Sequence, residues 1–517
     1  MSVEGSNPAI VAVIGGLGAA GLAYGLYRNA GKGESGKPTS SEAKAGKKAK
    51  PKLAPTPLPK HVPYLIVGAG AAAQSAYKAI LAAEPNAKVL VIGDEPYAPY
   101  LRPPLSKVLW FTENPNVGKE LRFKLPSGER SVFYETEDFF LPVEKLSETE
   151  SGGVAIARGM RVTKVSPPEH KVWTEDGQVL SYGKCLLATG ASPKQASVIA
   201  KAGPQVAEKV QFYRGIDDFR ELEAATQKVK SVAVIGGGFL GSELAVCLAN
   251  RAKKTGVDVS VVFPKSGLMS GVLPSYLSNW ATDRVSKSGV NIYSDANVSE
   301  VKRVGKEVVL SLKDGREVRA ERVVLGVGVA ANTELAEASG LEEDERLGGF
   351  LADAELRLQS DIWAAGDCVS FYDHELGRRR VEHIEHAAAS GRLAGENMTG
   401  AGKAYVDKSA FWSRVGVEMG FDAVGVCDAR LPTVAFFAGS EAAKEEGGSS
   451  SSSLHAPVPG EDYQKGVVFY TKDGQHICGV LAWNLANKVS VARKVLDEKK
   501  AYSDFGEAAK LFNVSEV

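Results

Sequence analysis

The sequence predicts an α/β protein with two Rossmann-like dinucleotide-binding domains, an α+β C-terminal domain and a single N-terminal membrane anchor. Three observations predict this organisation. A strand–glycine turn–helix–strand pattern occurs twice, an aromatic-rich region follows both copies, and an uncharged apolar stretch precedes them. At 517 residues the chain is too long for one hydrophobic core, so several domains are expected.

The N-terminal stretch is predicted to be a membrane anchor over residues 1–28. Residues 9–27 are apolar or small, and as a helix they would span roughly 28 Å, about one hydrocarbon core. A signal peptide is the main alternative, but the stretch has no basic n-region and no clear cleavage site. Residues 29–60 are rich in Gly, Ser, Pro and Lys and predict a disordered linker.

The first glycine turn joins a strand at residues 62–67 to an apolar helix through Gly68-Ala69-Gly70-Ala71-Ala72-Ala73. Gly68 permits a tight turn, and Gly70 lets the backbone approach a pyrophosphate. The free amides and the dipole at the helix start favour bound phosphate. Asp94 and Glu95, 24 and 25 residues after Gly70, can accept hydrogen bonds from ribose hydroxyls.

A proline-stiffened segment follows this unit and carries Arg102 and Lys107. It lies just beyond a strand end, where α/β sheets bind ligands, so these cations can hold a pyrophosphate or lie against a flavin ring. Further on, a short apolar strand ends in Gly366-Asp367, whose carboxylate can accept from a flavin ribityl hydroxyl. Residues 151–180 and 298–319 are predicted to be β-meanders, and residues 211–229 a helix.

The second glycine turn is Gly236-Gly237-Gly238-Phe239-Leu240-Gly241, between a strand at residues 231–235 and another apolar helix. Two such units indicate two dinucleotides, of which a flavin and a nicotinamide are the expected pair. The acidic residue expected after the next strand is absent, and Lys265 stands there. Lys265 cannot accept from the 2′-hydroxyl of NAD but can attract a 2′-phosphate, so NAD and NADP both stay open.

Composition argues against several other classes of protein. The chain has 62 basic and 62 acidic residues, and zero net charge gives no support to nucleic-acid binding driven by bulk charge. The five cysteines are far apart and form no CxxC motif, so a disulfide scaffold, a zinc site and an iron–sulfur cluster lack support. His383 and His386 have no third ligand cluster beside them, and no metal is predicted.

From residue 62 to its end, the chain resembles the apoptosis-inducing factor family, mitochondrial flavoproteins of the pyridine nucleotide-disulfide reductase superfamily. The lack of a cysteine pair fits this family and excludes the disulfide-reducing branch. The strings that carry the resemblance are residues 99–107 with Leu109-Trp110-Phe111, residues 234–244, residues 371–373 with 376–383, SGRLAGENMTG at 390–400, and Gly460-Glu461-Asp462-Tyr463.

The resemblance implies a glutathione-reductase-like arrangement of domains. Residues 61–191 and 330–409 would bind FAD, residues 192–329 would bind NADH or NADPH, and residues 410–517 would form a C-terminal domain with a disordered loop at 439–459. The implied FAD contacts are Gly68, Ala69, Gly70, Ala71, Ala72, Asp94, Glu95, Arg102, Lys107, Val162, Arg214, Asp367, His383 and Trp412. The implied nicotinamide contacts are Gly237, Gly238, Phe239, Leu240, Gly328, Glu382 and His383, with Asn487 at a second nicotinamide; Lys265 joins them on the argument above.

Lys107 and Glu243 are the implied catalytic pair, joined beside the flavin, where they would tune its potential and hold the nicotinamide close. The chain also departs from the family. Besides Lys265, Gly271 stands for a lysine, Pro126 for a tryptophan that stacks on a second nicotinamide, and Leu351 and Gln359 for arginines of a dimer contact. Nicotinamide choice, the second nucleotide site and dimerisation on reduction therefore stay open.

The implied function is an FAD-dependent NAD(P)H oxidoreductase and redox sensor, tethered to the inner membrane in the mitochondrial intermembrane space. It would support respiratory-chain biogenesis through the disulfide-relay import receptor and, once released, act in the nucleus as a caspase-independent cell-death effector. Lys184 and Lys194 match DNA-contact positions of the family. The alternatives are an efficient reductase of a quinone or iron–sulfur partner and a non-catalytic flavin-binding scaffold.

Overall fold

The computed structural model describes residues 56–125, 128–438 and 454–514. The predicted anchor, most of the predicted linker, Pro126 and most of the predicted loop at 439–459 lie outside these ranges. Within them, no helix is long and apolar enough to cross a membrane. The end of the predicted linker is attached to the protein, because the Leu58 amide donates to the Gln178 side chain at 2.9 Å.

The described residues form the following elements. The strands are β1 (His61–Val67), β2 (Lys88–Gly93), β3 (Arg122–Leu125), β4 (Gly128–Ser131), β5 (Gly153–Arg158), β6 (Val162–Ser166), β7 (Lys171–Thr174), β8 (Val179–Leu187), β9 (Ala191–Pro193), β10 (Val210–Phe212), β11 (Ser231–Ile235), β12 (Asp258–Val262), β13 (Val290–Tyr293), β14 (Val298–Val304), β15 (Glu307–Leu312), β16 (Glu317–Ala320), β17 (Arg322–Leu325), β18 (Val329–Ala331), β19 (Phe350–Leu351), β20 (Arg357–Gln359), β21 (Ile362–Ala364), β22 (Val369–Asp373), β23 (Gly377–Arg380), β24 (Ala410–Val415), β25 (Met419–Gly425), β26 (Thr433–Ala438), β27 (Leu454–His455), β28 (Gly466–Thr471) and β29 (Ile477–Trp483). The helices are α1 (Ala71–Ala83), α2 (Val117–Glu120), α3 (Ser197–Ala200), α4 (Pro204–Ala207), α5 (Ile216–Ala225), α6 (Phe239–Thr255), α7 (Ser275–Lys287), α8 (Leu335–Ser339), α9 (Ile384–Met398), α10 (Val489–Asp497) and α11 (Gly506–Lys510).

The first nucleotide unit is built on a sheet of order β20-β21-β8-β1-β2-β5. Its strands from β21 to β5 are parallel. Leu65 and Ile66 are fully buried, as expected for a parallel strand covered on both faces. Helices α1 and α9 pack closely together where Gly391 faces Ala72. A Cβ at Gly391 would lie 2.2 Å from the Ala72 carbonyl oxygen, so this approach requires glycine. This packing fixes the start of α1 at the carboxyl end of β1.

The second nucleotide unit is a parallel sheet of order β10-β17-β11-β12-β13. In the chain it is inserted between β8 and β21 of the first unit. The first sheet is therefore completed by β21, which follows the second unit in the sequence. The chain enters along β9 and leaves along β18, and these two strands pair antiparallel. The predicted domain boundaries at 191–192 and 329–330 fall within these two strands.

Residues 410–438 and 454–514, here called the C-terminal lobe, contain a six-stranded antiparallel sheet of order β24-β25-β29-β28-β26-β27. Its edge strand β24 approaches α6 of the second unit, where Phe239 lies 5.8 Å from Phe411 and 5.7 Å from Phe421 between ring centroids. Helix α7 of the same unit packs on the sheet through Trp280, 5.8 Å from the Trp483 ring. The lobe therefore contacts the second unit at two places.

Several predicted elements need correction. Residues 151–180 are not one meander, because β5 joins the parallel sheet and only β6 and β7 are antiparallel additions to β8. The helix predicted at 211–229 is strand β10 followed by α5. Strand β27 lies inside the loop predicted at 439–459 and pairs with Phe437 and Ala438. The predicted meander at 298–319 is correct, as β14, β15 and β16.

Candidate functional site

The first glycine turn has the shape of a phosphate site. Gly68 has a φ of 111°, and a Cβ there would lie 2.1 Å from the Ala188 carbonyl oxygen, so only glycine fits. A Cβ at Gly70 would meet no atom within 4 Å, so open space lies before the first turn of α1. Ala69, Ala71 and Ala72 of the same turn carry only small side chains. The arrangement fits a pyrophosphate at a helix N-terminus.

The second glycine turn has the same construction at the start of α6. Gly236 has a φ of 129°, and a Cβ there would lie 2.2 Å from the Gly326 carbonyl oxygen. A Cβ at Gly241 would lie 1.9 Å from the Gly236 carbonyl oxygen, so the helix packs directly on the turn. Gly237 and Gly238 lie between them, followed by Phe239 and Leu240 as the first residues of α6. This geometry fits a second dinucleotide.

An ion-paired cluster lies at the carboxyl end of β2. Glu95 accepts from Arg102 at 2.5 Å and from the Tyr100 hydroxyl at 2.7 Å. Arg102 also donates to the Arg214 carbonyl at 3.2 Å, which brings the loop before α5 to the first unit. Asp94 is exposed beside this cluster. These contacts fix the positions of Glu95 and Arg102, two of the residues predicted to bind FAD, relative to each other.

Arg214 and Asp367 meet near the same edge of the sheet. The Arg214 guanidinium lies 2.6 Å from the Asp367 carboxylate, which is largely buried at the start of the 3₁₀ turn after β21. Among the described residues, the buried Arg214 Nε has no hydrogen-bond partner. A buried donor without an acceptor is costly, so this nitrogen indicates that an acceptor group of a ligand belongs here.

The centre of the site is a buried ion pair between Lys107 and Glu243. The Lys107 Nζ lies 2.6 Å from Glu243 Oε2, and both side chains are at least nine-tenths buried. The Ser106 hydroxyl donates to the same carboxylate at 2.7 Å, and the Ser413 hydroxyl donates to the other oxygen at 2.7 Å. The Lys107 ammonium also lies 5.0 Å from the centre of the Trp412 ring.

His383, Glu385 and Trp412 form one wall of this centre. His383 caps the start of α9, and its Nε2 lies 3.3 Å from the Trp412 carbonyl oxygen. The Trp412 indole donates to Glu385 at 3.3 Å. Burial lowers the pKa of the His383 imidazole to about 4, and the Lys107 ammonium lowers it too. His383 is therefore neutral at pH 7.

The other residues predicted to bind the nicotinamide nucleotide lie in separate parts of the fold. Lys265 is exposed after β12, and Gly328 lies in an exposed turn with a φ of 98°. Glu382 pairs with Arg380 at 2.5 Å, directly before His383. Asn487 is exposed, with a φ of 60°, in the turn before α10. In the described part of the chain, no recorded contact joins Asn487 or Lys265 to the Lys107 centre.

The remaining predicted positions are placed as follows. Val162 is buried at the start of β6. Lys184, predicted from the resemblance to contact DNA, is half-buried and donates to the Met398 carbonyl at the end of α9, whereas Lys194 is exposed. No group of three or more His, Cys, Asp or Glu side chains in the described ranges could hold a metal ion.

The sequence prediction missed the two serines that hold Glu243. Ser106 precedes a predicted site residue and Ser413 follows one, but a serine next to a charged or aromatic residue has no distinctive spacing. Cys247 was also assigned no place in the site, yet its thiol contacts the Ser106 carbonyl at 3.1 Å, one helical turn after Glu243. Burial raises the pKa of this thiol well above its ordinary value.

Comparison with known proteins supports this reading of the geometry. Residues 62–391 match the pyridine nucleotide-disulphide oxidoreductase family, and residues 394–454 and 439–498 match the C-terminal domain of mitochondrion-associated apoptosis-inducing factor. Apoptosis-inducing factor 1 of Dictyostelium discoideum, named as mitochondrial, is 33% identical over 86% of this chain and 80% of its own length. Its Drosophila melanogaster counterpart is 42% identical over 88% of this chain, which spans 66% of that relative's length.

Among solved structures, a ferredoxin reductase from Rhodopseudomonas palustris superposes with a TM-score of 0.69 at 27% identity. The match covers 87% of this chain and all of the bacterial one. The described fold therefore extends over both nucleotide units and the C-terminal lobe. The chain belongs to the pyridine nucleotide-disulphide oxidoreductase family and, within it, to the apoptosis-inducing factor group of flavoprotein oxidoreductases that use FAD and NAD(P)H.

Proposed function

We propose that this protein is an FAD-dependent NAD(P)H oxidoreductase that acts as a slow redox sensor. The observation that carries the proposal is the buried Lys107–Glu243 pair, which joins the segment after β2 of the first unit to α6 of the second unit. The pair lies against Trp412 from the C-terminal lobe. A fixed charge in a buried site interacts more strongly with a redox cofactor than an exposed charge does.

The proposal assigns the residues of the site as follows. When bound, FAD would supply the ring that accepts a hydride from the nicotinamide. Gly68 to Ala72 would hold its pyrophosphate, with Arg102 and Arg214 as cations and Asp94, Glu95 and Asp367 as acceptors. The further assigned FAD contacts are Val162, Lys107, His383 and Trp412, within residues 61–191 and 330–409. Residues 192–329 would bind the nicotinamide nucleotide, and residues 410–517 would form the C-terminal domain.

The chain's own groups would then perform three tasks. Lys107 places a positive charge in the site, and Glu243 fixes its position. Neutral His383 and the Trp412 ring, which contact each other, would exclude water from one side of the Lys107–Glu243 pair. Gly237 to Leu240, Gly328 and Glu382 would place the nicotinamide near Lys107, with Lys265 at the adenosine ribose and Asn487 at a second nicotinamide.

The cellular role is proposed from the group to which the chain belongs. We assign it to the mitochondrial intermembrane space, tethered to the inner membrane by residues 1–28. There it would bind the disulfide-relay import receptor and support respiratory-chain biogenesis. Reduction would favour a homodimer, and protein released in cell death would bind DNA in the nucleus.

A second candidate function is fast electron transfer to an iron–sulfur protein. The solved structure described above is named as a ferredoxin reductase, and its likeness extends through the C-terminal lobe. In this case the lobe would be the dock for the acceptor. Fast steady-state turnover with a ferredoxin would favour this candidate, and slow turnover would favour the redox sensor.

The experiment that tests the proposal is an anaerobic titration of the purified yellow protein with NADH and, separately, with NADPH. Flavin absorbance and a long-wavelength band are recorded. We expect bleaching together with a stable long-wavelength band, because oxidised nicotinamide would stay beside the reduced flavin. Failure of both nucleotides to bleach the flavin would contradict the oxidoreductase proposal and leave a flavin-binding scaffold.

A further inference from the structure

The Glu243 carboxylate is held by hydrogen bonds from two other parts of the molecule. Its Oε2 accepts from Ser106 and from Lys107, both in the first unit, at 2.7 and 2.6 Å. Its Oε1 accepts from Ser413 of the C-terminal lobe at 2.7 Å. In the described part of the chain, Ser413 is the only recorded donor to Oε1.

Burial makes each of these hydrogen bonds consequential. Ser413 is fully buried, and Glu243 is 4% exposed. Water therefore cannot readily replace the hydroxyl if it is lost, and a buried carboxylate oxygen without a donor is unfavourable. The carboxylate would then turn towards its remaining donors. The Lys107 ammonium, 2.6 Å from Oε2, would move with it.

Strand β24 holds Ser413 in place. Its two neighbours in the chain are both fixed: Trp412 by the contact to Glu385, and Arg414 by an ion pair with Asp422 at 2.7 Å. Arg414 also donates to the Phe421 carbonyl at 2.6 Å across the β24–β25 pair. The hydroxyl thus comes from a rigid strand, as a group that orients another side chain must.

We propose that Ser413 is a positioning residue of the redox site, through which the C-terminal lobe orients Glu243 and so fixes the Lys107 ammonium. The inference rests on the proposed function, since Lys107 matters only if a flavin is reduced beside it. It also gives the lobe a part in the redox site that does not depend on any partner docking there.

The test compares Ser413→Ala with Ser413→Thr, which keeps a hydroxyl, and with Ser409→Ala as the matched control. Ser409 is equally buried just before β24, but its hydroxyl lies 3.5 Å from Tyr405 and does not face Glu243. Each purified holoprotein is examined for its visible flavin spectrum, its flavin midpoint potential and its rate of reduction at saturating NADH or NADPH.

For Ser413→Ala we expect a shifted flavin spectrum and potential and a reduction rate lower by roughly tenfold, the order expected for a buried hydrogen bond to a charged group. The dissociation constant for the nicotinamide nucleotide should change less than the reduction rate does, since Ser413 is not among the residues assigned to bind that nucleotide. Ser413→Thr should recover most of the rate, and Ser409→Ala should match the wild type. A Ser413→Ala protein with wild-type spectrum, potential and rate would overturn the inference.

A crystal structure of Ser413→Ala separates this inference from the proposed function. We expect the Glu243 carboxylate to be rotated and the Lys107–Glu243 contact to be lengthened, whether or not the flavin can be reduced. If the wild type fails to bleach, the proposed function fails, and the crystal structure alone decides the role of Ser413. An unchanged Lys107–Glu243 contact would refute that role even if the wild type is reduced normally.

Discussion

Lys265 stands at the position where an acidic residue is expected in an NAD site. Its exposed ammonium follows β12, and no ion pair is recorded for it within the described ranges. We predict that Lys265→Glu changes the ratio of NADPH to NADH dissociation constants about tenfold in favour of NADH. A carboxylate repels a 2′-phosphate and accepts from a 2′-hydroxyl, and tenfold corresponds to about 1.4 kcal/mol.

Equilibrium titration with each nucleotide measures this change. Lys306→Glu is the matched control, because Lys306 is also exposed in the same unit but lies in the β14–β15 hairpin. The control makes the same charge change and should leave the ratio as in the wild type. An equal effect of both substitutions would show that net charge, rather than a site at Lys265, governs the choice.

His386 gives a prediction about acid stability. It is fully buried, hydrogen-bonded to Tyr405 at 3.0 Å, and burial lowers its pKa to about 3. An unfolded histidine titrates near 6.5, so between pH 6.5 and 3 the unfolded chain binds the extra proton. The unfolding free energy therefore falls as the pH falls through this window. The contribution of His386 approaches about 1.4 kcal/mol per pH unit.

Urea unfolding of the wild type and His386→Gln at pH 7, 6, 5 and 4 tests this prediction. Glutamine can keep a hydrogen bond to Tyr405 and cannot titrate, so the stability difference between the two proteins should shrink as the pH falls. Parallel curves for the two proteins across this range would contradict the assignment of a neutral, buried His386.

At the scale of elements, two glycines of the first glycine turn have different surroundings. Gly70 has an ordinary φ of −101°, and a Cβ there meets no protein atom, whereas Gly68 cannot accept one. We predict that Gly70→Ala keeps a stable fold but binds FAD far more weakly, because the methyl group fills the space before the first amides of α1. The ratio of flavin to protein absorbance after purification measures the loss.

Gly118→Ala is the control for this substitution, since Gly118 lies in α2 and the nearest atom to a Cβ there is 3.8 Å away. It should keep the wild-type flavin content. Far-UV circular dichroism of apoprotein should be the same for Gly70→Ala and the wild type. Full flavin occupancy in Gly70→Ala would mean that the pyrophosphate does not lie at this turn.

The sequence predicted the elements that have a strong pattern. Both glycine turns, their flanking strands and helices, and the β14–β16 meander follow from local periodicity and turn residues. Strand β5 was misassigned because its short apolar run does not reveal whether its neighbour is parallel or antiparallel. Ser413 and Glu243 lie 170 residues apart in the chain, so only the fold could bring them together.

At the scale of the whole molecule, Trp280 of the second unit packs against the C-terminal lobe. Its indole donates to Asp462 at 3.2 Å, and its ring lies edge-on to Tyr463 and Trp483. Arg284, one helical turn later, pairs with the same aspartate. We predict that Trp280→Ala destabilises this interface by up to about 3 kcal/mol, through lost packing and the loss of a donor to Asp462.

Hydrogen exchange measured by mass spectrometry locates the effect. Protection should fall in β28 and β29 while β1 and β2 keep theirs, since the substitution loosens the lobe and leaves the first sheet intact. Trp173→Ala in β7, also a partly buried tryptophan, should leave the lobe unchanged. Uniform loss of protection across the molecule would mean that the lobe and the nucleotide units unfold as one.

The insertion of the second unit into the first has a consequence for protein synthesis. Strand β21 pairs with Cys185 to Leu187 of β8, and it leaves the ribosome only after the whole second unit has been made. Until then, that part of β8 exposes an unpaired backbone edge on a nascent chain that also lacks Asp367. Translation products that end between β8 and β21 therefore cannot complete the sheet of the first nucleotide unit, and their open edge favours aggregation.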